Sequence, residues 1–148
     1  MKSSFTNNLL KNLKHKRILV TGHTGFKGSW LSLWLEFMGA KVTGISLEPE
    51  QNSLFKQIDI ESKINHKVID ITNFSSLLIA LEETKPEIVF HLAAQSLVIN
   101  SYQDPRNTWL VNVMGSINII EALRELNHKC SIVMITTDKV YKNFEWDY

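Results

Sequence analysis

Arg17-Ile18-Leu19-Val20-Thr21-Gly22-His23-Thr24-Gly25-Phe26-Lys27-Gly28-Ser29-Trp30-Leu31 is the stretch that decides the fold. The apolar run Ile18 to Val20 suits a buried strand. It breaks into three glycines, Gly22, Gly25 and Gly28, spaced by three. An apolar-rich stretch without proline, Phe26 to Met38, follows at once and predicts a helix. A strand, a glycine turn and a helix N-terminus in that order form a phosphate cradle. Glycine lets the backbone approach a pyrophosphate, and the helix end presents unpaired N–H groups and a partial positive charge. The spacing is G-x-x-G-x-x-G, not the plain G-x-G-x-x-G, so the strand and helix on either side carry the reading.

Outward from that turn, apolar runs alternate with helical patterns. Gly39 stands where a helix C-cap glycine belongs, and Lys41 to Ile45 reads as a second strand. A polar segment from Glu48 to Asn65 holds a short helical piece near Leu54 to Ile58, and Lys67 to Ile71 reads as the third strand. Thr72 or Asn73 caps a helix carrying Phe74, Leu77, Leu78 and Leu81 on one side. Glu87 to Leu92 is the fourth strand. Asp104-Pro105 starts a helix that runs toward Leu126, with Val113, Ile117, Ile120 and Leu123 at helical spacing. Ser131 to Thr136 is the fifth strand. Five such units predict a Rossmann-like doubly wound α/β domain, a parallel sheet with helices on both faces. Residues 1–16 read as a lead-in and 17–148 as one domain.

Bulk properties exclude several classes. A chain of 148 residues, 44% hydrophobic and 21% charged, has the composition of one globular domain. A formal net charge of +1 gives no reason to expect nucleic acid or an anionic membrane. No apolar run approaches the eighteen or so residues of a membrane span. The lysine-rich start around Leu9, Leu10 and Leu13 lacks a signal peptide's continuous apolar region. The single cysteine, Cys130, excludes an internal disulfide, fits a cytoplasmic location and reads as a small core residue. His15, His23, His66, His91 and His128 show no metal-ligand spacing, so no metal is expected. The ring of His23 is expected to face either a phosphate or solvent. Trp30, Trp34 and Phe37 predict a packed stripe, and Trp109 a helix-packing residue.

Open α/β sheets bind ligands at the carboxyl ends of their strands. Here those ends carry Ser46-Leu47-Glu48, Asp70-Ile71, His91-Leu92-Ala93-Ala94-Gln95 and Thr136-Thr137-Asp138-Lys139. A carboxylate about twenty residues past the glycines would hydrogen-bond an adenosine ribose and favour NAD over NADP. Glu48 has roughly that spacing, although Ser46 holds the first position for it. As a surface residue before Pro49, Glu48 reads equally well as solvated. Ala93 and Ala94 are small enough to let backbone pass close to a cofactor.

Five motifs then occur in order: Thr21 to Leu31, His91 to Gln95, Ser-Tyr-x-Asp-Pro at Ser101 to Pro105, Asn-Val-Met-Gly at Asn112 to Gly115, and Thr-Thr-Asp-Lys-x-Tyr at Thr136 to Tyr141. Together they resemble the extended short-chain dehydrogenase/reductases that act on nucleotide sugars. Lys27, Lys139 and the closing Asn143 to Trp146 narrow the likeness to the 4,6-dehydratases, those acting on CDP-glucose in particular.

The resemblance implies NAD as cofactor, with NADP not excluded, and a nucleotide sugar as substrate. Gly22, His23, Thr24, Gly25, Phe26, Lys27 and Gly28 would form the pyrophosphate turn, with Ser46 and Glu48 toward the adenosine ribose. Asp70 and Ile71 would meet the adenine, and Ala93, Ala94 and Gln95 the ribose and nicotinamide. Asn112 matches the family's structural asparagine. In related dehydratases a hydride leaves sugar C4, water is eliminated across C5 and C6, and the hydride returns to C6. Thr137 matches the hydroxyl bonded to the C4 oxygen, Asp138 the acid that protonates the departing C6 hydroxyl, and Lys139 a base or electrostatic support. In the family the helix starting near Pro105 takes part in dimer contacts, so the resemblance also implies a homodimer through it.

Two departures stand out. Gln95 to Tyr102 reads Gln-Ser-Leu-Val-Ile-Asn-Ser-Tyr where close relatives carry a proline and two arginines. The family's Tyr-x-x-x-Lys pair, last strands and substrate lobe are not in these 148 residues, so the sheet is expected to be truncated and the chain to bind NAD(H) without turnover. Three functions remain open: the cofactor half of a CDP-glucose-type dehydratase, another nucleotide-sugar dehydratase or epimerase, and a non-catalytic module that binds a dinucleotide or a partner.

Overall fold

A computed structural model of the chain describes residues 12–137, 140–142 and 144. Five strands, β1 Arg17–Thr21, β2 Lys41–Ser46, β3 Asn65–Val68, β4 Ile88–His91 and β5 Ser131–Met134, pair in parallel in the order β3-β2-β1-β4-β5. That is the doubly wound order, with its reversal between β1 and β4. The strands found begin and end within a few residues of those expected, and the largest shift is in β3. It starts at Asn65 and stops at Val68, because its partner β2 ends at Ser46 and Ile69 N–H closes the ladder on the Ser46 carbonyl at 2.9 Å.

β1 is buried on both faces, and its alternation sorts the core. Ile18 and Val20 join Leu35, Met38 and Val42 under α1 (Phe26–Phe37). Leu19 joins Ile45, Val89, Leu77, Leu81, Ile119 and Ala122 on the opposite side. That side is covered by α3 (Phe74–Thr84) and α6 (Gly115–Glu125), while the short α2 (Leu54–Gln57) follows β2. Leu77 and Leu81 lie in this core with Phe74 and Leu78 half-buried beside them, as the helical spacing predicts. Asn73 is the cap, its Oδ1 accepting from Ser76 N–H at 3.0 Å.

The helix expected from Asp104-Pro105 to Leu126 is composite. A short α4 (Val98–Gln103), which the sequence did not announce, precedes α5 (Pro105–Trp109), where Asp104 Oδ1 accepts from Asn107 N–H at 2.9 Å. A π-helical turn, Leu110–Met114, then leads into α6. This extra-wide turn rotates the buried face. Gly115, Ile119 and Ala122 enter the core, and Val113, Ile117 and Ile120 are exposed.

Two packing expectations are corrected. Trp30, Trp34 and Phe37 share a helix face, but that face is exposed, at 51%, 54% and 79%. The sheet receives the narrow side made by Gly28, Ser29, Ser32 and Leu35, because short side chains let the helix axis come closer. Trp109 is likewise exposed. Cys130 is half-buried against the core, where desolvation pushes its thiol pKa up. No described helix is long and apolar enough to cross a membrane.

Candidate functional site

The glycine turn sits at the carboxyl end of β1, at the reversal point of the sheet. Gly22 takes φ +72°, a conformation that L side chains rarely adopt, and donates its N–H to the Ile45 carbonyl at 2.8 Å. A Cβ on Gly22 would stand 2.8 Å from Ala93 N, so the turn lies directly against the chain leaving β4. Gly28 is required for a different reason. A Cβ there would run into the Gly22 carbonyl oxygen and come within 2.7 Å of His23 Cα. The first turn of α1 is therefore pressed onto the backbone of the glycine turn. Ser29 secures it, donating Oγ–H toward the Gly25 carbonyl at 2.8 Å and the His23 carbonyl at 3.1 Å. Gly25, Phe26 and Lys27 are exposed, and no side chain caps the α1 N-terminus. Its free end is the anion-attracting feature expected of such a turn.

His23 corrects the sequence reading. Its ring faces neither phosphate nor solvent but is fully buried below the turn. It lies over Gly44, where any Cβ would strike the imidazole, and edge-on to Phe55 at 5.2 Å between centroids. Nε2 is 2.6 Å from His66 Nδ1 on β3, while Nδ1 is buried without a hydrogen-bond partner. Burial is the main cause that lowers its pKa to about 4, and nearby His66 adds to it. The sheet register explains the pair, because Gly44 is the β2 partner of His66. A glycine inside a strand often marks such a close approach, which is the signal that could have revealed it.

Thr24 ties the turn to the end of β2, with 2.7 Å between its Oγ1 and Ser46 Oγ. Glu48 is exposed two residues further on. Asp70 is exposed after β3, and its Oδ1 accepts from Thr72 N–H at 2.8 Å. The Ile71 side chain turns into the core. It is buried against α6, where a Cβ on Gly115 would meet Ile71 Cδ1 at 2.5 Å. Asn118 of α6 donates to the carbonyls of Ile71 and Thr72 at 2.9 and 3.1 Å.

The chain leaving β4 is held as tightly. Asn112 pairs with Gln95 both ways: Oδ1 accepts from Gln95 N–H at 2.8 Å and Nδ2 donates to the Gln95 carbonyl at 3.0 Å. The Gln95 side chain turns back, donating to Thr108 Oγ1 at 3.0 Å and accepting from Leu97 N–H at 2.7 Å. Backbone and side-chain amide of Gln95 are thus both engaged within the protein. Ala93 and Ala94 lie beside the glycine turn, half-buried and exposed respectively. Buried His91 sits between Thr21 Oγ1, 2.7 Å from Nδ1, and Ser116 Oγ, 3.1 Å from Nε2. Burial lowers its pKa. Sequence reading missed Thr21, His66 and Ser116 as partners, since each hydrogen bond spans elements far apart in the chain. Thr137 is exposed just past β5, and Asp138 and Lys139 lie outside the described residues. Among the described residues no group of three His, Cys, Asp or Glu side chains could hold a metal.

Fold and site define a doubly wound α/β domain with a glycine turn built for close backbone approach at the sheet's reversal point. The chain belongs to the GDP-mannose 4,6 dehydratase family, which residues 19–145 match. It is 48% identical over 132 residues to CDP-glucose 4,6-dehydratase of Salmonella typhimurium, covering 88% of this chain and 37% of that protein. Among solved structures it resembles UDP-glucose 4-epimerase of Thermus thermophilus, a complex with NAD, with TM-score 0.63 and 29% identity. That match covers 73% of this chain and 33% of the epimerase. The fold is also that of UDP-glucose-4-epimerase from Stenotrophomonas maltophila, with TM-score 0.77 and 24% identity over 90% of this chain and 40% of that one. The chain thus spans well under half the length of these relatives.

Proposed function

We propose that the chain is the cofactor-binding part of an NAD-dependent nucleotide-sugar 4,6-dehydratase whose substrate is CDP-glucose. The observation that carries this is the contact of Gly28 and Ala93 with the Gly22 turn, which keeps side chains away from the backbone where a pyrophosphate would rest. The turn and the uncapped α1 N-terminus suit two phosphates by charge and by shape. The 48% identity to a CDP-glucose 4,6-dehydratase supports the substrate and the reaction. NAD, when bound, would take a hydride and return it.

In this reading backbone N–H groups of residues 22–28 bind the pyrophosphate, with Thr24 and Ser46 fixing the wall toward the adenosine. Glu48 accepts from the ribose hydroxyls, and Asp70 borders the adenine beside the Ile71 backbone. Ala93, Ala94 and Gln95 leave room for the nicotinamide side. Thr137, Asp138 and Lys139 are the catalytic group, supplying a hydroxyl to the C4 oxygen, a proton to the leaving hydroxyl and a base or cation beside it. The exposed stripe Val113, Ile117 and Ile120 on the helix after Pro105 supports contact with a second copy of the chain, which sedimentation at increasing concentration would detect.

Calorimetric titration with NAD and NADH tests the cofactor. Saturable binding of one equivalent is expected, weakened by Gly28→Ala. A folded chain that takes up neither nucleotide overturns the reading.

A further inference from the structure

We propose that His91 is a positioning residue of the cofactor site, holding the backbone of Ala93 to Gln95 through a hydrogen-bond chain whose protons have one possible order. The inference rests on the cofactor reading above. Thr21 Oγ1, at the end of β1, accepts from Ala93 N–H at 3.1 Å and from Leu92 N–H at 3.2 Å; Leu92 shares that proton with the Thr21 carbonyl, also at 3.2 Å. A hydroxyl has two lone pairs and one proton. With its lone pairs engaged, Thr21 has only its proton to give, and His91 Nδ1 is 2.7 Å away. Nδ1 is therefore an acceptor.

Burial keeps the ring neutral, so its single proton sits on Nε2 and points to Ser116 Oγ at 3.1 Å. Ser116 passes the order on by donating to the Asn112 carbonyl at 2.7 Å. The side chain of Asn112 then closes on the N–H and carbonyl of Gln95. Both ends of the segment after β4 thus attach to one network, Ala93 through Thr21 and Gln95 through Asn112. His91 is its central link. From a buried position it joins Thr21 on β1 to Ser116 on α6, and through Ser116 reaches Asn112 in the π-helical turn.

Two measurements on the whole chain test this. Nitrogen-15 NMR of the imidazoles is expected to show His91 as the neutral Nε2–H tautomer near pH 7; an Nδ1–H tautomer or an imidazolium overturns the proton order and the proposal. NADH fluorescence titration is expected to give about fivefold weaker binding in Ser116→Ala, the size of one lost hydrogen bond, with recovery in Ser116→Thr, which keeps the hydroxyl. Ser116 is only half-buried on a helix, so its variants are suited to this comparison where His91 variants fail to fold. Equal NADH affinity in wild type and Ser116→Ala overturns the positioning role. Absence of NADH binding by the folded wild type overturns the cofactor reading and this role with it, and the tautomer still reports the network separately.

Discussion

His23 Nε2 and His66 Nδ1 lie 2.6 Å apart beneath the glycine turn, so the loop that should meet a phosphate stands on a histidine pair. One of the two nitrogens carries the proton between them and the other accepts it, and the buried His23 ring disfavours a charge because burial lowers its pKa. The turn is therefore sensitive to acid through its underside rather than through the surface it presents.

Stability should fall as His23 is titrated. The pKa of His23 is about 4 in the fold against 6.5 ordinarily. The unfolded chain binds the extra proton first, so this contribution is complete above pH 6.5 and is lost as pH falls toward 4. Over that window the loss is roughly 3 kcal/mol. Urea midpoints measured from pH 7.5 down to 4 should drop, and His23→Phe should flatten the dependence. An equal slope in the variant would assign the acid sensitivity elsewhere.

Two glycines of the turn should respond differently to the same added methyl. Gly28→Ala places Cβ against the backbone of Gly22 and His23, which cannot move aside, so a loss of about 3 kcal/mol is expected. At Gly25 the nearest atom to a Cβ is the Gly22 carbonyl oxygen at 3.3 Å, and its φ of −74° is ordinary. Gly25→Ala should cost under about 1 kcal/mol. Chemical denaturation of both variants checks the contrast.

Asn112→Asp keeps the acceptor for Gln95 N–H but replaces the donor to the Gln95 carbonyl with a second oxygen. A loss of about 2 kcal/mol is expected, because a half-buried carbonyl loses its partner and faces a negative charge. Thermal unfolding at neutral pH reads it, and lowering the pH until the new carboxyl protonates should recover part of the loss.

On α3, neighbouring positions test the packed face. Leu77→Ala empties a fully buried site and should cost 2 to 5 kcal/mol, roughly. Ile79→Ala, at an exposed position, should stay within about 0.5 kcal/mol.

Much of the fold could be read along the chain, because local signals carried it. The Asp104 and Asn73 caps, the Gly39 stop and the five apolar runs each depend on a few neighbouring residues, and each appears close to its expected place. What escaped depends on relations across the sheet. Periodicity put Trp30, Trp34 and Phe37 on one face of α1 but could not say that the small side, with Gly28 and Ser32, would turn inward. The π-helical turn at Leu110–Met114 changed which residues of the next helix were buried, and no residue there announces it. The site divides in the same way. Its glycines stand out as a spacing, whereas the partners of His23 and His91 emerge only when β3 and α6 are brought in.

Thr21 bonds to a residue 70 positions later, and its strand is flanked by two others that follow it in the chain. During synthesis β1 can pair with β2 early, but its other edge, and the Thr21 hydroxyl with it, waits until β4 and His91 have emerged. Contacts of such separation make nucleation slow and leave apolar β1 exposed in the interval. The sheet order that concentrates the site at one seam also makes that seam a late event in folding. A chaperone or a stalled ribosome would meet Ile18 to Val20 before any cofactor could.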